Sequence, residues 1–167
     1  MKTGVFANYE IQLLTQCLAV GQALIWNLTK ALWQHKGLAW SKPVFGEILA
    51  CSIINLKNEE GKYLKGKSQL RHILISESAH LIWKLRNDQI INGNQLTPLE
   101  VQNKWRNTIN ARLEIDCLSI NPSFKSRSNK AQIIKQTWRR VINHKEDLPR
   151  EWTKKSGVLV DIRAGIG

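Results

Sequence analysis

The sequence predicts an all-α protein: a small helical bundle of four to five helices with an irregular C-terminal tail. Three observations support that class. Apolar residues recur at helical spacing through most of the chain, glycine, proline and asparagine punctuate it at intervals, and no strand–helix alternation links the segments. At 167 residues the chain holds a single helical domain, 1–150, whose N-terminal boundary is open to truncation, and a tail, 151–167. Apolar residues make up 43%, enough for a core and too many for a disordered chain.

The first helix spans about residues 9–34, with Leu14, Leu18, Ile25, Leu28 and Leu32 at helical spacing. Gly21 is a candidate break, and Gly37 is a credible stop because glycine reaches left-handed backbone angles without strain. Pro43 opens an apolar stretch, Val44 to Ile54, to which periodicity assigns no type. The polar segment 55–68, with Gly61 and Gly66, reads as a loop or small hairpin. The strongest helix of the first half follows, from Gln69 to Ile91, with Leu70, Ile73, Leu74, Leu81, Ile82 and Leu85 on one face. It stops at Asn92-Gly93-Asn94. Thr97-Pro98-Leu99-Glu100 then starts another, combining an N-cap, a proline with no amide to leave unpaired and a capping-box glutamate. Its seam is Val101, Trp105, Ile109, Leu113 and Cys117. After the turn at Asn121-Pro122-Ser123 a final helix covers 129–143, with Ala131, Ile134, Trp138, Val141 and Ile142 as its stripe. The end of the chain, GVLVDIRAGIG, adds a short strand or docks as coil.

Twenty-five Lys and Arg against 13 Asp and Glu give a formal net charge of +12, and the pI is about 9.9. Residues 1–60 hold five basic and four acidic side chains, leaving 20 and 9, a net +11, for 61–167. The basic residues there fall into three clusters: Lys62, Lys65, Lys67 and Arg71; Lys104, Arg106 and Arg112; and Lys125, Arg127, Lys130, Lys135, Arg139 and Arg140. Such an excess favours a polyanionic partner but says nothing of fold. The longest apolar stretches are only a few residues, such as Ala23-Leu24-Ile25-Trp26, too short for a membrane span, and no secretory leader is evident. Three scattered cysteines, Cys17, Cys51 and Cys117, read as reduced, buried thiols of an intracellular protein, nuclear or cytoplasmic.

No catalytic constellation stands, and no cofactor or metal is expected. Gly61 to Ser68 fits the phosphate-loop formula, but Lys57-Asn58-Glu59-Glu60 precedes it where a buried strand is required, and its bulky residues prevent backbone amides from wrapping a phosphate. Glu77 and His80 share a helix face without a second pair to complete a metal site. Ser76, Ser78 and His80 form no nucleophile set. Asp88, Asp116, Asp147 and Asp161 lie too scattered to converge on ions. Seven tryptophans invite base stacking. Trp105 and Trp138 nevertheless sit on apolar seams, so core packing is the better reading for both, with Lys104, Arg106, Arg139 and Arg140 as a basic rim.

The string SESAHLIWKLRND from Ser76 resembles a segment of fungal LINE-type (non-LTR) retrotransposon polyproteins, in their C-terminal part beyond the reverse transcriptase and ribonuclease H regions. Gly21-Gln22 with IWNLTKALW, the Gly61–Ser68 stretch, KWRNTINARLEIDCL (104–118), QTWRR (136–140) and DLPREWTKKSGVLVDI (147–162) are similar in the same order. Cys17 resembles the last ligand of the zinc knuckle that often stands upstream in such polyproteins. Gln12 occupies the place of its histidine and the CxxC half is absent, so no four-ligand zinc site assembles. The acids of the polymerase and nuclease are missing too. The resemblance implies a non-catalytic module of retrotransposon origin. Joined to the charge, it leads to the expectation of RNA or DNA backbone binding through Lys62, Lys65, Lys67, Arg71, Lys104, Arg106, Lys125, Arg127, Lys130, Lys135, Arg139 and Arg140. The alternative is a helical protein–protein interaction module whose charge serves solubility.

Overall fold

The computed structural model describes residues 21–120, 128–142, 153, 158 and 160. Among them are five helices and no sheet: α1 (21–34), α2 (Phe45–Leu49), α3 (Lys65–Asn92), α4 (Pro98–Leu118) and α5 (Ser128–Trp138). The all-α class holds. None of these helices is long and apolar enough to cross a membrane.

α3 is the spine. Its 28 residues extend about 42 Å at 1.5 Å per residue, and α2, α4 and α5 pack against it. The sequence places a single apolar face on this helix. Over its central turns, however, consecutive residues Ile73, Leu74 and Ile75 are all buried, together with Leu70, Arg71, Ser78 and Leu81. A helix sheathed by neighbours on several sides needs no polar face, which is why a stripe was only part of its pattern. α3 also begins at Lys65, four residues before the predicted start. The preceding segment is the small hairpin: Lys57 and Tyr63 form an antiparallel bridge, and the Leu64 amide donates to the Leu56 carbonyl. The chain enters the helix directly from that closure.

The punctuation falls where expected. Gly37, at φ 67°, follows α1, and Gly93, at φ 68°, caps α3 in the left-handed region. At α4 the Thr97 hydroxyl accepts from the Glu100 amide, while the Glu100 carboxylate accepts from the Thr97 amide. α5 ends at Trp138, earlier than residue 143, and Val141 and Ile142 bury their side chains from the turn that follows. Residues 9–20 of the first predicted helix, Cys17 and the turn at 121–123 lie outside the described residues. In the tail, Val160 is buried, bridges Ile142 and donates its amide to the Asn110 side chain on α4. Val160 is thus held by one isolated bridge and one hydrogen bond.

One contiguous core joins Ile25, Leu28, Leu32 and Trp33 of α1 to Leu70, Ile73 and Leu74 of α3, Trp105 and Ile109 of α4, and Ile134 and Trp138 of α5. Each fully buried indole N–H in it has an acceptor, as burial demands. Trp33 donates to the Ala39 carbonyl, Trp105 to Ser78 and Trp138 to Asp116.

Candidate nucleic-acid interface

The site is built on a close helix crossing. A Cβ at Gly66 would stand 2.6 Å from Gln136 Cβ and 2.8 Å from its backbone carbonyl carbon, so only glycine lets the start of α3 meet the end of α5 this closely. Lys65 and Lys67 flank Gly66, and Lys135, Arg139 and Arg140 flank Gln136 and the end of its helix. All are exposed except Lys67, which is half-buried. The first and third basic clusters, some 70 residues apart in sequence, therefore share one region. Lys62 in the hairpin turn and Lys130 near the start of α5 lie exposed at its margins. Among the described residues, no carboxylate pairs with any of these seven.

Beneath the crossing, the Lys36 ammonium donates to the carbonyls of Gln136 (2.8 Å) and Arg139 (2.6 Å). It is a buried cation placed where the C-terminal dipole of α5 favours it. Lys135, Arg139 and Arg140 gain from the same dipole. Lys65 and Lys67 do not. They stand in the first turn of α3, at its positive end, with no acidic residue and no side-chain cap. Fold stability disfavours that placement; an anion bound there reverses its sign.

The second cluster is elsewhere. Lys104 lies near Asp88 and Glu100, and Asp88 is 22 residues beyond Gly66 on α3, about 33 Å along its axis. Hydrogen bonds from Asn92 and Asn94, with Lys104 adding less, hold the Asp88 carboxyl below its ordinary value. Glu100 is held low by the Thr97 amide and hydroxyl and, more weakly, by Lys104. Arg106 is half-buried and reaches Asn103 at 3.5 Å. Arg112 pairs with Asp116. Arg71, grouped with the first cluster in the sequence, is buried: its guanidinium meets Glu47 at 3.4 Å and lies over the rings of Trp33 and Trp40. It ties α3 to α1 and α2 and presents no charge for a phosphate. Lys125 and Arg127 lie outside the described residues.

The other candidates resolve into structure. Around Gly61–Ser68 there is a hairpin and no parallel strand; the Ser68 hydroxyl donates to the Leu64 carbonyl and accepts from the Leu56 amide. Ser76 donates to Ile73, Ser78 is fully buried, and His80 is exposed beside Trp83. No group of three or more His, Cys, Asp or Glu among the described residues is arranged to hold a metal ion. Cys51 is a buried free thiol, whereas Cys117, expected to be buried, is half-buried; burial raises both above the ordinary value, Cys117 to about 11 with Asp116 and Glu114 adding to the shift.

Two polar centres escape a reading of the sequence. The Thr29 hydroxyl donates its only proton to the Ile25 carbonyl (2.7 Å), so Ser78 must donate to Thr29 (2.7 Å) while accepting from Trp105 (2.9 Å). This directed chain links α4, α3 and α1. Asp116, buried, accepts from Trp138 at 2.9 Å, fastening α5 to α4, and forms an ion pair with Arg112 at 3.5 Å on its own helix. The available signal is the tryptophan itself. An indole on an apolar seam demands a polar partner on a facing helix. Comparison with family models, curated proteins and solved structures returns no match.

Proposed function

We propose that the protein is a non-catalytic basic helical module, of the retrotransposon origin that its sequence strings suggest, which binds the phosphate backbone of RNA or DNA in the nucleus or cytoplasm. One observation carries this reading: the Gly66–Gln136 crossing gathers Lys65, Lys67, Lys135, Arg139 and Arg140, two of them at a helix end where their charge opposes folding. Five phosphate contacts to a single strand correspond to a log–log salt slope of about −3.5. The test is an anisotropy titration of a labelled oligonucleotide over a salt series, comparing the native chain with a Lys65→Ala/Lys67→Ala/Arg139→Ala variant. The slope should fall by about 2 in magnitude. Arg140→Gly separates binding from stability. Arg140 sits at φ 76°, so glycine relieves about 1 kcal/mol of backbone strain while removing a phosphate contact. Absence of affinity at low salt, or an unchanged slope, overturns the proposal.

A second reading, a protein–protein interaction module, has its own observation. Val44, Phe45, Leu49 and Ile53 around α2 are 66–75% exposed, a run of apolar side chains of the kind that marks interaction surfaces. If it holds, a Phe45→Ser/Ile53→Ser variant keeps its fold but loses association with a protein partner, and the lysine variant keeps that association.

A further inference from the structure

Trp83 is the one tryptophan among the described residues that is mostly exposed, at 59%. It lies 18 residues after Lys65, which is five turns at 3.6 residues per turn, so both project from the same side of α3 about 27 Å apart. The rings of Trp83 and His80 are 6.0 Å apart. His80 in turn lines a groove of about 280 Å³ between α3 and α4, with Trp83 next to it at the rim through that ring contact. Its apolar wall includes Ala111 and Ile115, and Glu77, Lys84 and Arg112 supply an acceptor and two cations. That volume falls just below the ~300–1,000 Å³ of small-molecule clefts, room for a single ring system. Arg112 holds Asp116 only at 3.5 Å, and its Nε has no acceptor.

An exposed indole alone is unremarkable in a folded protein. Here it adjoins a groove with both hydrogen-bonding polarities, on a net-positive chain, in line with a phosphate-binding patch. We infer that Trp83 and this groove form a base-stacking subsite and that the ligand is a single-stranded nucleic acid laid along α3. The inference rests on the backbone-binding reading above. The strand's phosphates engage Lys65 and its neighbours; farther along, an unpaired base stacks on the indole and turns its edge toward Glu77 and Arg112. A duplex cannot use this subsite, since its bases are already paired and stacked.

The test uses the full chain with three labelled probes of equal length: a single-stranded oligonucleotide, the same backbone with abasic sugars, and the duplex. The native chain should bind the base-bearing strand about 5- to 150-fold more tightly than the abasic one, the range for one stacked base. Trp83→Ala should erase that difference, Trp83→Phe should keep most of it, and neither should change abasic affinity or its salt slope. Equal affinity of the native chain for base-bearing and abasic strands overturns the stacking subsite, as does a Trp83→Ala variant that keeps the preference or a native preference for duplex. In each case salt-dependent binding leaves the backbone reading standing. If no probe binds at low salt, both readings fall.

Discussion

Ser78 shows how a single small hydroxyl organises three helices. It accepts from Trp105 and donates to Thr29, which donates onward to Ile25. Removing it leaves an indole N–H without its acceptor and Thr29 without its donor in a site with no access to water. Ser78→Ala should therefore lower the unfolding free energy by about 1–3 kcal/mol, the cost of orphaning buried polar groups. A denaturant titration would read this as a lower midpoint at unchanged slope. A Ser78→Ala/Trp105→Phe double variant should lose less than the sum of the two single changes, because the orphaned donor is removed with its acceptor. If the single change is neutral, the chain of hydroxyls does not carry the role assigned to it.

At the scale of elements, the decisive contact is the crossing of α3 and α5. Gly66→Ala places a methyl against the backbone of Gln136, which cannot give way as a flexible side-chain tip would. The helices must separate, at about 1–3 kcal/mol by analogy with overpacked cores, and the basic patch must open with them. Stability and oligonucleotide affinity should fall together, measured by thermal melts and by anisotropy. The helices themselves were largely legible. The capping box at Thr97 and the seam of Val101, Trp105, Ile109 and Leu113 stand where local rules put them, because both depend on residues within one or two turns. The first turn of α3 was not. Lys65-Gly66-Lys67 reads as loop by composition, and only the packing of α5 against Gly66 explains a glycine there. The basic clusters were visible as counts; which of them meet, and that Arg71 turns inward to Trp33 and Trp40, depends on partners dozens of residues away.

At the scale of the whole molecule, Cys117 makes stability fall with pH in the alkaline range. Its folded value, raised to about 11 chiefly by burial and then by Asp116 and Glu114, stands above the ordinary 9.0. Below about pH 9 the thiol is neutral in both states and contributes nothing that varies with pH. Between that point and about pH 11 the unfolded chain ionises first, so the fold weakens as pH rises. Unfolding midpoints measured at about pH 8 and about pH 10.5 should differ less in a Cys117→Ala variant than in the native chain. Equal differences would sink the assignment.

The anchoring of Lys36 sets an order of events. Two acceptors of its ammonium, the carbonyls of Gln136 and Arg139, stand 100 and 103 residues downstream. The close α3–α5 crossing and the acceptance of the Trp138 indole by Asp116 also wait for α5. On a ribosome α5, from Ser128, emerges after α4, which ends at Leu118. Until α5 emerges, the Lys36 site lacks both of these carbonyls, so the crossing and the basic residues it gathers are completed in the same step, ahead of the Val160 contact that follows in the chain.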